Sequence, residues 1–217
     1  MEKVSFQQAA WYYDTLAKLV FGRSIKNAQL AHLTTLTPKS NILIIGGGSG
    51  WILEAIIAHT APLQVTYLET SAAMLHQAQK RYEAIQRKSS FHTKVHFVQG
   101  SIEDISETLL FDAVATFFLL DLYNTNDAWQ LMSDLNRRLK HEGLWLYADF
   151  EQPRSGWKSY WQNWLLRIMY LFFSLTTNLK NQHLPDFSLL FNNLGMMPIR
   201  NSYYYGKFIR SSVYRKE

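Results

Sequence analysis

The sequence predicts a doubly wound α/β domain: a mostly parallel sheet of seven strands with helices on both faces and an antiparallel final strand. Three observations carry this. Short apolar runs alternate with amphipathic stretches five times between residues 41 and 150. Four glycines, Gly46, Gly47, Gly48 and Gly50, stand between the first of these runs and a helical stretch. Near the C-terminus, two β-rich segments meet at a Gly-Lys turn.

Each element has its own signal. "SFQQAAWYYDTLAKLVFG" has a periodic apolar face and stops at Gly22, and "IKNAQLAHLTTL" reads as a second helix ending near Pro38. Residues 1–40 are thus expected as a helical cap. "NILII" is a short buried strand, and "WILEAIIAHT" a helix ending before Pro62. "QVTYLE" is a strand, and "SAAMLHQAQKRYEAIQRK" a helix with a basic last turn, as the helix dipole favours. "KVHFVQG" is a strand, "IEDISETL" a short helix, and "DAVATFFLL" a strand running into a loop. "NDAWQLMSDLNRRLK" is an amphipathic helix and "GLWLYADF" the fifth strand. "MMPIRNSYYYG" and "GKFIRSSVYRK" supply an antiparallel pair joined near Gly206.

The whole chain, 1–217, reads as one domain. Residues 41–152 are expected as its alternating α/β core, residues 153–184 as a helical aromatic cap, and residues 185–217 as the final helix and strand pair. Apolar residues make up 47% of the chain, which supports a sizeable core and excludes disorder. Cysteine is absent, which excludes disulfides, a cysteine nucleophile and thiolate metal sites. The expected location is cytoplasmic, with no signal peptide. The net charge of +5 is uneven: residues 153–217 carry 9 Lys/Arg against 2 Asp/Glu, together with 14 of the 32 aromatics. Such a segment is either a basic rim over an aromatic core or a surface for RNA or an anionic membrane.

Right-handed crossovers bring the strand C-terminal ends to one edge, so "GGGSG", "LET", "QGS" and "TFFLLD" should share a crevice. A glycine turn before a helix offers backbone N–H groups to an anionic or polar ligand. Glu69 ends the next strand, 19 residues beyond Gly50, where a carboxylate can accept both hydroxyls of an adenosine ribose. No GKS or GKT is present, and Trp51 follows Gly50 where a dinucleotide turn would continue toward a third glycine. A methionine-linked cofactor, carrying a carboxylate and an ammonium, fits this more open GxGxG.

These residues resemble the class I S-adenosylmethionine-dependent methyltransferase family, of the small-molecule type, over roughly residues 41–150. "NILIIGGGSG" looks like the motif that cradles the methionine part of the cofactor. "VTYLETSAAML" looks like the ribose motif, with Glu69 as the acid and Met74 near the adenine, and "FVQGSIEDI" like the adenine-edge motif. "FDAVATFFLLDLY" and "LKHEGLWLYADF" resemble the fourth strand and the turn into the fifth. The resemblance implies a Rossmann-like sheet and S-adenosyl-L-methionine as cofactor. It implies a cofactor site at Gly46, Gly47, Gly48, Ser49, Gly50, Glu69, Thr70, Met74, Gly100, Ser101, Ile102, Thr116 and Phe117, covered by Tyr12 or Tyr13. Two positions depart from the family pattern. Ile44 stands where an acidic residue is usual, and Ser101 where an aspartate commonly accepts from the adenine amino group.

Transfer of a sulfonium methyl is an in-line displacement that depends on alignment and needs a base only if the acceptor must lose a proton. Asp121, just past the fourth strand, is the candidate base; the bland reading is a loop carboxylate capping a turn. Phe117 and Phe118 would line the sulfonium and acceptor side, one facing the crevice and one packing beneath a helix. Trp157, Trp161 and Trp164 share one helical face and, with Phe118, are the candidate acceptor-binding residues, although that face could simply anchor the helix. No metal site is expected. Asp121 and Asp149 could be offered to magnesium, but Asp149 reads better as the end of a strand.

The expected activity is methylation of a small, apolar or aromatic molecule. "TFFL" stands where nucleic-acid methyltransferases carry a proline-aromatic tetrapeptide, so nucleic acid is disfavoured as a partner. The alternatives are a catalytically silent, methyltransferase-like binding subunit or a membrane-peripheral scaffold. "WLLRIMYLFFSL", 12 residues containing Arg167, is too short for a transmembrane segment but could touch a membrane surface.

Overall fold

The computed structural model describes residues 21–60, 64–87, 93–151 and 184–217. The expected N-terminal helix with Tyr12 and Tyr13, and the aromatic stretch carrying Trp157, Trp161 and Trp164, lie outside these residues.

The described residues form one seven-stranded sheet. Its strands are β1 (Asn41–Ile45), β2 (Gln64–Glu69), β3 (Lys94–Gln99), β4 (Phe111–Phe117), β5 (Leu139–Phe150), β6 (Met196–Tyr204) and β7 (Ile209–Lys216). The helices are α1 (Ser24–Leu30), α2 (Trp51–Thr60), α3 (Ala72–Gln86), α4 (Thr125–Arg138) and α5 (Phe187–Asn193). The strand order is β3-β2-β1-β4-β5-β7-β6. β1 through β5 pair in parallel, and β7 runs antiparallel to both β5 and β6. Only β7 is reversed, as the sequence predicts for its final strand.

β1 is apolar from Ile42 to Ile45 because both its faces are covered there: Ile42, Leu43 and Ile44 are buried. Helix starts follow their caps. The Ser71 hydroxyl accepts from Met74 N at α3, and the Asn124 side chain accepts from Asn126 N and Asp127 N at α4. The β6–β7 reversal uses three consecutive residues of positive φ, Tyr205, Gly206 and Lys207, at the turn expected from sequence.

Two elements differ from expectation. "IEDISETL" makes only a single 3-10 turn, Ile102–Asp104. The buried Arg138 guanidinium takes the Ile105 carbonyl at 3.0 Å and the Ile102 carbonyl at 3.4 Å, which a continuing helix would need for itself. The second expected helix stops at Leu30 and resumes as a 3-10 turn, Leu33–Thr35. There the His32 ring meets the Ser211 carbonyl at 3.2 Å, and the Thr35 hydroxyl donates to the His32 carbonyl at 2.7 Å.

β1 neighbours β2 on one side and β4 on the other, so the crossovers leave it in opposite directions. The crevice of a doubly wound sheet opens beyond the strand ends at that point.

Candidate active site

The glycine turn after β1 is held from β2. Register places Tyr67 beside Ile44, and alternation puts Tyr67 and Glu69 on one face of the strand. The Tyr67 hydroxyl donates to the Gly48 carbonyl at 2.9 Å, and the Glu69 Oε2 accepts from the Gly48 N–H at 2.9 Å. Both backbone polar groups of Gly48 are therefore fixed by a neighbouring strand. Burial, reinforced by the nearby Glu69, raises the Tyr67 phenol well above its ordinary pKa, so it stays a donor. A Cβ on Gly47 would lie 2.4 Å from the Tyr67 ring, so that glycine lets the tyrosine reach the turn. Gly48 has φ +62, and a Cβ there would meet no atom within 4 Å, pointing into open space. Gly50 opens α2 where it packs against Ala78 of α3.

Glu69 is bonded twice more. Its Oε1 accepts from Ser71 N at 2.9 Å and from the Thr70 hydroxyl at 3.4 Å. A carboxylate has about four lone-pair positions, so one remains for a ribose hydroxyl, and a second opens only if the long Thr70 contact yields.

Two cavities flank the turn and share Gly46 and Phe118. The first, about 500 Å³, lies over β2, β3 and β4 and is lined by Glu69, Thr70, Gly100, Ser101, Ile102 and Glu103. Its far wall comes from Leu119, Leu122, Tyr123 and one face of α4, including Asp127 and Asp134. Four carboxylates and no Lys or Arg line it among the described residues. The second, about 420 Å³, is lined by Gly47, Gly48, Ser49, Trp51, Phe117 and, from α1 and α3, by Lys26, Gln29 and Arg81. It holds two cations and no carboxylate among the described residues. The Lys26 ammonium sits 4.8 Å from the centre of the Trp51 ring.

Phe118 has φ +53, a left-handed conformation disfavoured for a side chain of this size. Its N–H donates to the Ala148 carbonyl at 2.7 Å, and its ring packs against Phe150 at 5.2 Å. Both phenylalanines face the crevice: Phe117 lines the second cavity and Phe118 both, so the expectation that one would pack away beneath a helix is corrected. Thr116 is fully buried and accepts from the Trp145 indole at 2.9 Å. Neither Thr116 nor Met74 is among the residues lining the cavities.

Asp121 is also absent from both linings and is 4% exposed. It lies against the fully buried Asp149. Asp149 accepts from Leu120 N at 3.0 Å, Asp121 N at 3.3 Å and Phe150 N at 2.9 Å. The pair thus organises the loop that carries Phe118 and Leu119. Burial raises both carboxyls, Asp121 to about 6. The reason lies in the turn Leu120–Leu122, which folds the Asp121 side chain back under the loop.

The sequence reading passed over Tyr67, Glu103, Lys26 and Arg81. Tyr67 was legible, two residues before Glu69 on the same face. Lys26 and Arg81 had no local signal, because only tertiary packing brings α1 and α3 to the turn.

Residues 42–143 match a family described as a methyltransferase domain. The chain has the class I S-adenosylmethionine-dependent methyltransferase fold. Solved structures share this fold. Mitomycin 7-O-methyltransferase MmcR is 16% identical with a TM-score of 0.66, covering 99% of this chain and 61% of its own. The N-methyltransferase NodS from Bradyrhizobium japonicum is 14% identical with a TM-score of 0.63, covering 92% of this chain and 98% of its own. An O-methyltransferase family protein from Burkholderia thailandensis is 12% identical with a TM-score of 0.71, covering 99% and 61%. The chain thus spans about three fifths of the length of two of these. No curated protein sequence matches. Both cavities lie beyond the ends of β1 and β4, where the strand order reverses. No helix among the described residues is long and apolar enough to cross a membrane.

Proposed function

We propose that this protein is an enzyme that transfers a methyl group from S-adenosylmethionine to a small apolar or aromatic molecule. The polarity of the crevice supports the reading. One end is lined by carboxylates and the other by Lys26 and Arg81, and the two meet at Gly46 and Phe118. The acidic end suits a neutral or cationic group and the basic end an anionic one. A ligand with a neutral nucleoside, a central cation and a terminal carboxylate fits the sequence of charges.

The chain's residues divide the work. Glu69 accepts from the ribose hydroxyls while it holds the turn. The turn from Gly46 to Ser49 cradles the methionine end, with Lys26 and Arg81 near the carboxylate. Thr70, Gly100 and Ile102 line the nucleoside pocket. The Phe118 ring, where the cavities join, keeps water from the reacting centre. Bound there, the sulfonium supplies an electrophilic methyl group, and alignment with the acceptor does most of the rest. Asp121 acts through the loop it shapes. Tyr13, Trp157, Trp161 and Trp164 lie outside the described residues; the sequence offers them as the groups that would face the acceptor and favour an apolar one.

Titration with S-adenosylmethionine and its demethylated product, read by calorimetry, tests binding. A panel of phenols, quinone precursors, acids and amines with a labelled methyl donor tests transfer. Saturable micromolar binding with transfer to a panel member is expected. Absence of binding up to millimolar ligand would favour the silent-scaffold reading.

A further inference from the structure

Among the described residues, only Gly46 and Phe118 line both cavities, so they form the seam between them. Leu119 closes that seam: a Cβ added at Gly46 would lie 2.7 Å from Leu119 Cδ1. The turn after β1 and the loop after β4 therefore touch there. Phe118 holds φ +53, which a side chain of this size keeps only where its surroundings impose it.

The end of β5 imposes it. The Phe118 N–H donates to the Ala148 carbonyl at 2.7 Å. Asp149 Oδ2 accepts from Leu120 N at 3.0 Å and Asp121 N at 3.3 Å, while its Oδ1 accepts from Phe150 N at 2.9 Å. Three of the four loop residues from 118 to 121 are thus tied by their N–H groups to two consecutive residues of β5. Asp149 itself is fully buried and lines neither cavity. A buried carboxyl costs stability that an apolar residue would not. Its three acceptor contacts all serve the backbone, two of them in the loop beside the seam.

We propose that Asp149 is a positioning residue for methyl transfer: by holding Leu120 and Asp121 it keeps Leu119 on Gly46 and Phe118 in the seam, so that one ligand can occupy both cavities at once. This rests on the adenosyl-cofactor reading above. Asp149 touches no ligand. A molecule confined to the first cavity depends mainly on Glu69, Thr70, Gly100 and Ile102, none of which belongs to the loop. A molecule that crosses the seam needs both halves in register, and a shifted loop misaligns them.

The probes are S-adenosylhomocysteine, which crosses the seam, and adenosine, which does not. Both are titrated against wild type, Asp149→Ala and Asp149→Asn, each shown folded by circular dichroism. Asp149→Ala should lose about tenfold or more in affinity for S-adenosylhomocysteine but about twofold or less for adenosine, because only the first spans the two cavities. Asp149→Ser, too short to reach both loop N–H groups, takes its place if the alanine variant does not fold. Asp149→Asn keeps an oxygen for Leu120 and Asp121 but turns an NH2 toward the Phe150 N–H. It should melt lower than wild type yet hold S-adenosylhomocysteine within about threefold of it. A merely structural residue would instead weaken both ligands together, in step with melting temperature. A folded alanine or serine variant that keeps wild-type affinity for S-adenosylhomocysteine, or that weakens both ligands alike, overturns this inference and leaves the cofactor reading intact. A folded wild type that binds neither probe overturns both.

Discussion

The Tyr67 hydroxyl donates to the Gly48 carbonyl at 2.9 Å, and the same strand, two residues on, receives the Gly48 N–H at Glu69. One peptide turn is thereby fixed at both its polar ends by β2. Ile44, which lacks any polar group, is the register partner of Tyr67. The tyrosine thus contributes polar support to the turn that Ile44 cannot.

Tyr67→Phe should test this. The ring and its packing remain, but the Gly48 carbonyl loses its donor. The expected cost is ~1 kcal/mol of stability, with a several-fold weaker affinity for S-adenosylhomocysteine. Thermal unfolding and calorimetry would read the two effects. An affinity equal to wild type would mean that the turn holds its shape without the tyrosine.

Glu69 needs a careful substitution. Glu69→Ala removes an acceptor for the Gly48 and Ser71 N–H groups together with any ligand contact. Glu69→Gln keeps one acceptor oxygen and the side-chain shape. The alanine variant should lose about 1.5–3 kcal/mol of ligand binding and also destabilise the fold. The glutamine variant should weaken ligand binding and lower the melting temperature less than alanine does, since its NH2 must face one of the two backbone N–H groups while its oxygen keeps the other. Equal binding by glutamine and wild type would remove Glu69 from the ribose.

Gly48 and Gly50 separate ligand space from packing. A valine at 48 points into the second cavity but must adopt φ +62, at a cost of ~1–2 kcal/mol. It should fold less stably and bind cofactor poorly. An alanine at 50 places its Cβ 2.6 Å from the Ala78 Cα, so the α2–α3 packing must shift. That variant should lose stability first, seen as a lower melting temperature before any ligand is added. A Gly48→Val protein that folds and binds normally would limit the glycines to a turn.

The buried pair Asp121–Asp149 gives a pH dependence with a definite sign. Burial raises both carboxyls, and Asp121 titrates near 6 in the folded chain, against about 3.9 for an unfolded aspartate. Between those values the native state holds protons that the unfolded chain has released. This contribution to stability is therefore full below about pH 4 and is lost as pH rises through about 6. Asp121→Asn, whose amide can donate to Asp149 at any pH, should flatten the fall. Denaturant melts of both proteins at pH 5 and pH 8 would show it. Parallel slopes for the two would dissociate the pair from the effect.

The sequence by itself determined which segments are strands and helices, the glycine turn with an acid ending the next strand, and the reversal at Gly206. These are local signals: apolar periodicity, glycine placement and β-branched runs act within a few residues. It also marked Ser101 and Ile44 as departures. Tertiary structure alone decided how the turn beside Ile44 is held, with the Tyr67 hydroxyl reaching the Gly48 carbonyl from β2. It also decided that Asp121 folds beneath its loop, that both Phe117 and Phe118 reach the crevice, and that Lys26 and Arg81 share one cavity. The physical reason is direction. Spacing along the chain places a side chain on a face, but its partners come from strands and helices that only packing brings alongside.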